Sequence, residues 1–245
     1  MTTRLSHKLA SQASRPTHAG ARLLALVGLF ALLSAASPAR AATGPATAAI
    51  KASNDSIREA LKKMVAARGT PGWAKARTEA REAVGGLLDF DALAKSTLGT
   101  HWDESKPAER TRYVDAMRSA MEANYLTRMQ GKVAVDDVKV DYLGEEARGS
   151  DTLVHTHFSY GTDGAKLDFL VAKGKKMRAI DVITEDVSLA DTYREQISNL
   201  WAKKGIAGIA EAFEKKAKRL EGDLEATQAA ATAPGAAAAP ATPAK

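Results

Sequence analysis

Cysteine is absent from the 245 residues. Disulfides, thiolate metal ligands and thiol nucleophiles are therefore excluded together. No G-x-S-x-G, P-loop or G-x-G-x-x-G motif occurs, so three familiar routes to nucleophilic or nucleotide chemistry are missing. Histidine appears five times and aromatic residues make up 5% of the chain. Uninterrupted apolar sequence is also scarce. The longest stretch, Leu23–Leu33, has eleven residues, against about 20 needed to span a bilayer as a helix.

That stretch reads instead as the apolar core of a secretory signal. Arg4, Lys8, Arg15 and Arg22 precede it without an acidic residue, and Ala39-Arg40-Ala41 follows as a small-x-small cleavage pattern. Residues 1–41 are expected to be a signal peptide cut after Ala41, with export to the periplasm. No cysteine follows to carry a lipid, and no arginine pair marks a twin-arginine signal. The whole chain carries +6, but five of its 35 Lys/Arg and none of its 29 Asp/Glu lie in the first 41 residues. The remainder is close to neutral, which removes the case for a nucleic-acid partner. At the other end, residues 222–245 are rich in Ala, Pro and Thr and are expected to be a disordered tail. Residues 42–221 are long enough for a single domain with a sizeable core.

Within that domain the hydrophobic period changes once. Ile57, Leu61, Met64 and Val65 recur at helical spacing after Asn54-Asp55, and a second helix follows Thr70-Pro71. Asp89 is placed to cap a short helix that Gly99 ends. A long helix from Pro107 to about Gln130 carries Tyr113, Val114, Met117, Met121, Tyr125 and Met129 on one face. After Gly131 the period becomes two, predicting four strands joined by tight turns, hence an antiparallel sheet. Helix resumes at Ser188, with Asp191 completing a capping box, stops at Gly205 and restarts at Ile206. The expected class is α+β: a curved antiparallel four-stranded sheet packed against a helical layer, with an apolar cavity between them.

Candidate chemistry is thin. Asp89, Asp91 and His101 fall close in sequence, but a helix would separate Asp91 from His101 by roughly 15 Å. His155-x-His157 places two imidazoles on one sheet face, opposite Val154, Phe158 and Tyr160, where a metal would also need a carboxylate such as Asp168 from another strand. That face is expected to be wet. No catalytic residues, metal or cofactor are assigned.

"LLDFDALAKSTLGTHWDESKPAERTRYVDAMRSAM" and "IDVITEDVSLADTYREQISNLWAKKGIAGIAEAF" together resemble the MlaC family, also called toluene-tolerance auxiliary proteins. The resemblance rests on Phe90-Asp91, Leu98-Gly99, His101-Trp102, the helix near Tyr113, Asp181-Val182, Val187-Ser188-Leu189 and Tyr193-Arg194-x-Gln196. It spans about Ser56 to Leu220. Three positions depart from the family pattern: Met177 where Trp is usual, Asp186 where Gly is common, and Ile197 where an aromatic is common. The resemblance implies a periplasmic, non-enzymatic carrier that binds phospholipid in an apolar pocket. Its implied partners are an inner-membrane ABC lipid-transport complex and an outer-membrane lipoprotein–porin complex, acting in outer-membrane lipid asymmetry. Under this reading the pocket is lined by Val114, Met117, Met121 and Tyr125 on the long helix. The sheet adds Val154, Phe158, Phe169 and Val171, and the helix after Ser188 adds Ile197 and Trp201. Tyr193 and Arg194 stand near its mouth. Arg194 would meet a phosphate there or, structurally, pair with Asp181 or Glu185. The rival readings are another apolar cargo such as a hopanoid, a partner-binding module with a filled core, and a small cone-shaped α+β enzyme with an Asp/His pair in a polar pocket.

Overall fold

The computed structural model describes residues 44–130, 135–174 and 176–232. The expected signal peptide, Val133 and the last residues of the tail lie outside them.

Among the described residues six helices and five strands follow in the order α1 (Pro45–Ala66), α2 (Trp73–Leu87), α3 (Phe90–Leu98), α4 (His101–Glu104), α5 (Pro107–Met129), β1 (Val138–Arg148), β2 (Asp151–Tyr160), β3 (Asp163–Val171), β4 (Ala179–Thr184), β5 (Val187–Ser188) and α6 (Leu189–Thr232). The sheet is antiparallel throughout, in the order β1-β2-β3-β4-β5. It has five strands where four were expected. The extra strand is two residues long, too short for an alternating pattern to reveal. Val135 lies in a 3-10 turn rather than a strand.

The helix starts follow local chemistry. Pro45 opens α1 nine residues before the expected Asn54-Asp55 start, because Glu145 of β1 reaches its first turn and accepts from the backbone N and Oγ1 of Thr47 at 2.7 and 2.8 Å. A cap supplied from 98 residues away has no local signature. Asp89 caps α3 as expected, accepting from Ala92 N at 3.0 Å. The β4–β5 turn explains one departure from the family pattern. Glu185 and Asp186 hold φ of 48° and 65°, a pair of left-handed residues of the kind that makes glycine common in such turns. Lys166 supports them here, with its Nζ 2.7 Å from Asp186 Oδ1 and its backbone N donating to Glu185 Oε1 at 2.7 Å.

α6 is two helices meeting at Gly205, as the sequence predicts, but they abut without a loop. Gly205 takes φ 56°, ψ −176°, which a side-chain-bearing residue rarely adopts. The second segment runs on to Thr232, so residues 222–232 are helix where a disordered tail was expected. Leu224 is fully buried, and the Gln228 side chain accepts from Gly69 N at 2.9 Å. One buried leucine and one amide anchor an alanine-rich stretch that composition alone assigns to coil.

Two hydrophobic clusters result. The first joins the sheet face bearing Val154, Phe169, Val171 and Ala179 to α1, α3, α5 and α6 through Ile50, Phe90, Leu93, Tyr113, Met117 and Ile209. The second is built by helices and the Val135 turn: Leu61, Met64, Trp73, Ala80, Val84, Leu126 and Leu224.

Glu122 is buried on α5 beside Gly85, whose missing Cβ makes the room: a methyl there would sit 2.5 Å from Glu122 Oε1. Burial pushes this carboxyl up to about 7, opposed by Arg81 and Arg118 and aided by Glu221. A carboxyl raised in the folded state favours the folded protein while protonated. That contribution is complete below its unfolded value near 4.5 and is lost as pH rises through 7. Glu122→Gln is therefore expected to raise the melting midpoint at pH 8 and leave it nearly unchanged at pH 4.5. Thermal melts of both proteins across that range check it.

Candidate functional site

The first cluster collects most of the residues expected to face a ligand. Val114 and Met117 from α5, Val154, Phe169 and Val171 from the sheet, and Ile197 from α6 are all buried in it, and Met121, Phe158, Tyr193 and Trp201 pack against it. The register explains the sheet's share: Val154 pairs with Phe169, and Phe169 with Val182, so their side chains stack on one face. The rings of Phe158 and Phe169 lie 6.5 Å apart at 50°. Tyr125 is not among them. It sits two helical turns beyond Met117 and packs against the second cluster.

The buried hydroxyls of Thr97 and Tyr113 beside the first cluster satisfy each other. Thr97 Oγ1 donates to Ala94 O at 2.9 Å, so the Tyr113 hydroxyl donates to Thr97 at 2.7 Å. Burial drives the Tyr113 phenol well above its ordinary range, so it stays neutral.

The outer sheet face is less wet than strand alternation suggests. Leu153 is buried there opposite Leu170. Asp168 is buried too: its Oδ2 lies 3.0 Å from His155 Nδ1 and 3.4 Å from Lys166 Nζ, while Oδ1 has no protein partner. An Asp–His pair does exist, therefore, but on the face away from Val154 and Phe169, not in a polar pocket. Among the described residues no three His, Asp or Glu side chains gather to hold a metal ion.

His101 is explained by packing that sequence reasoning missed. Its ring stacks on Trp201 with centroids 3.9 Å apart, and its Nδ1 lies 2.9 Å from Glu104. The pairing joins positions a hundred residues apart.

Arg194 pairs with neither Asp181 nor Glu185. Its Nη1 lies 2.5 Å from Asp191 Oδ1, its Nε donates to Ser96 O at 2.8 Å, and its Nη2 donates to Ser96 Oγ at 2.8 Å. Asp181 is occupied elsewhere: Oδ1 accepts from Val182 N and Ala190 N at 2.8 and 2.9 Å, and Oδ2 accepts from Ser188 Oγ at 2.6 Å. Ser188 Oγ in turn accepts from Asp191 N at 3.0 Å, the expected N-terminal cap, but the Asp191 carboxylate turns to Arg194 and does not complete the expected capping box.

Among the described residues, two depressions of the surface bear on the site. A groove of about 690 Å³ runs between α5 and α6 over Ala108, Thr111, Ala116, Ser119 and Ala217, crossed by the bidentate Arg112–Glu214 pair. A smaller one of about 250 Å³ lies where α3 and the start of α6 meet the sheet, with Leu170, Ile180 and Ile183 as floor and Ser96, Arg148 and Arg194 among its walls. Apart from Arg194, the residues expected to line a cavity border neither; they pack against one another.

The arrangement defines a class: an α+β protein whose open antiparallel sheet and helical layer enclose one apolar cluster, with its polar groups engaged in holding the fold. Residues 54–215 match the family model for MlaC protein, and the chain belongs to the MlaC family. No curated protein matches it. Among solved structures, the phospholipid-binding protein from Ralstonia solanacearum, determined in complex with a phospholipid, superposes with a TM-score of 0.61 at 17% identity. The match covers 73% of this chain and 99% of that one, and it establishes a common fold.

Proposed function

We propose that this protein is a periplasmic carrier. It holds the acyl chains of a phospholipid between the sheet and the helices, and shuttles the lipid between an outer-membrane lipoprotein–porin complex and an inner-membrane ABC complex. The observation that carries the reading is the first hydrophobic cluster. It gathers the adaptable Met117, with Met121 packed against it, into the same cluster as Phe158 and Phe169, in a chain belonging to the MlaC family. The phospholipid held by the Ralstonia protein of the same fold supports it. An acyl chain crossing water must be shielded. At about 0.8 kcal/mol per buried CH₂, one long chain represents on the order of 10 kcal/mol, so the site needs apolar surface rather than catalytic groups. Methionine suits walls that repack around tails of varied length. Release against so large a burial energy assigns the partners a role in lowering its cost.

Native mass spectrometry of the protein purified from its periplasm, followed by organic extraction, tests this. The expected result is a mass increment that extraction identifies as phospholipid. Met121→Trp, which adds bulk at the edge of the first cluster, is expected to cut occupancy at least fivefold with an unchanged circular dichroism spectrum. Wild-type protein that carries no lipid, and takes none from vesicles, would overturn the proposal.

A further inference from the structure

We infer that the seam between α3 and the first segment of α6, residues 189–204, is the gate through which an acyl chain reaches the first cluster, with Arg194 as its latch. The inference rests on the carrier reading. The first segment of α6 is weakly held. Of residues 189–204 only Ala190 and Ile197 are fully buried, and Leu189, Thr192, Tyr193 and Trp201 are half-buried. Beyond Gly205 the same helix buries Ile206, Ile209, Ala210, Ala217, Leu220 and Leu224. Regions with little buried apolar surface open at lower cost than the rest of a fold. The left-handed Gly205 breaks the helix between the two segments, which meet again where the Tyr193 and Phe213 rings lie 5.9 Å apart.

Two side-chain contacts cross the seam outside its apolar packing. Arg194 binds both the carbonyl and the hydroxyl of Ser96 on α3, held in place by Asp191. Farther along, Trp201 stacks on His101, just past the end of α3. The Arg194 bonds are solvent-facing and exchange with water at small net cost. Behind them lie Ile197 and Leu93, members of the first cluster. In front lies the 250 Å³ depression, where Leu170, Ile180 and Ile183 share the lining with Ser96 and Arg194. A tail resting there touches apolar surface outside and, once the latch parts, apolar surface inside. Release of Arg194 from Ser96 also frees a guanidinium for the lipid phosphate, so the group that bars the closed seam would hold the head group at the open one. The base of the segment stays fixed, since Asp181 ties Ser188 and Ala190 to β4.

The cysteine-free chain allows a direct test. In the Ser96→Cys/Arg194→Cys variant, a thiol-cleavable bis-maleimide ties α3 to α6. Uptake of fluorescent phosphatidylglycerol from vesicles is then followed in the tied and cleaved forms. Tied protein is expected to load at least tenfold more slowly than cleaved protein, and cleaved protein faster than wild type, because its latch is gone. An Arg112→Cys/Glu214→Cys pair tied across the α5–α6 groove is expected to load at the wild-type rate. Equal loading of tied and cleaved Ser96/Arg194 protein, or equal slowing by the groove cross-link, would overturn the gate while leaving the carrier reading standing. No loading by wild type would remove the carrier reading and the gate with it.

Discussion

Phe169→Ala is expected to lower the free energy of unfolding by about 3–5 kcal/mol. Phe169 is 1% exposed, sits mid-sheet between Val154 and Val182, and meets the Phe158 ring across the face. Truncation removes its transfer free energy and leaves a cavity that strands on both sides keep from collapsing. Urea unfolding followed by circular dichroism measures the loss, and Phe169→Leu should recover most of it. The magnitude also bears on function. A ring packed on all sides costs the full amount, whereas a ring bordering ligand space leaves no new void and costs less. A loss below about 1.5 kcal/mol in lipid-free protein, restored when lipid is added, would identify Phe169 as a pocket wall rather than core.

Asp181→Ala is the second large effect, on the order of 3 kcal/mol. A buried carboxylate accepting three hydrogen bonds is lost, and the Ala190 and Val182 amides and the Ser188 hydroxyl are left without their partner. The damage is directional, because these bonds join β4 to the start of α6. Amide hydrogen exchange in residues 189–197 should therefore accelerate far more than in β2 or β3. Asp181→Asn, which keeps an acceptor for Ala190 N, should fall between wild type and alanine. Uniform acceleration across the sheet would show instead that Asp181 holds the whole fold and not this junction.

Much of this architecture is written in local patterns. The change from a period of 3.6 to 2 after Gly131, the Asp89 and Ser188 caps, and the Gly205 break each depend on residues within a turn of one another. Those elements follow from the chain. β5 is too short to have a period, and Pro45–Ala66 starts where it does because of a glutamate 98 residues away, so neither is legible locally. The candidate site divides the same way. Alternation put Val154 and Phe158 on one strand face, and helical spacing put Val114 and Met117 on one side of α5. The same spacing placed Tyr125 with them, but by Tyr125 the helix axis has carried its stripe past the sheet and into the second cluster.

Determined by the sequence alone were the absence of thiol chemistry, the α+β class, the helix caps and the family. Tertiary structure decided which groups meet across the chain: His101 on Trp201, Arg194 on Ser96 and Asp191, His155 on Asp168, and Glu122 beside Gly85 among Arg81, Arg118 and Glu221. The physical reason is range. Caps and periodicity act over a few residues, where sequence distance and spatial distance agree. Ion pairs, stacking and burial depend on separation in space, which is set only once the sheet and helices have packed.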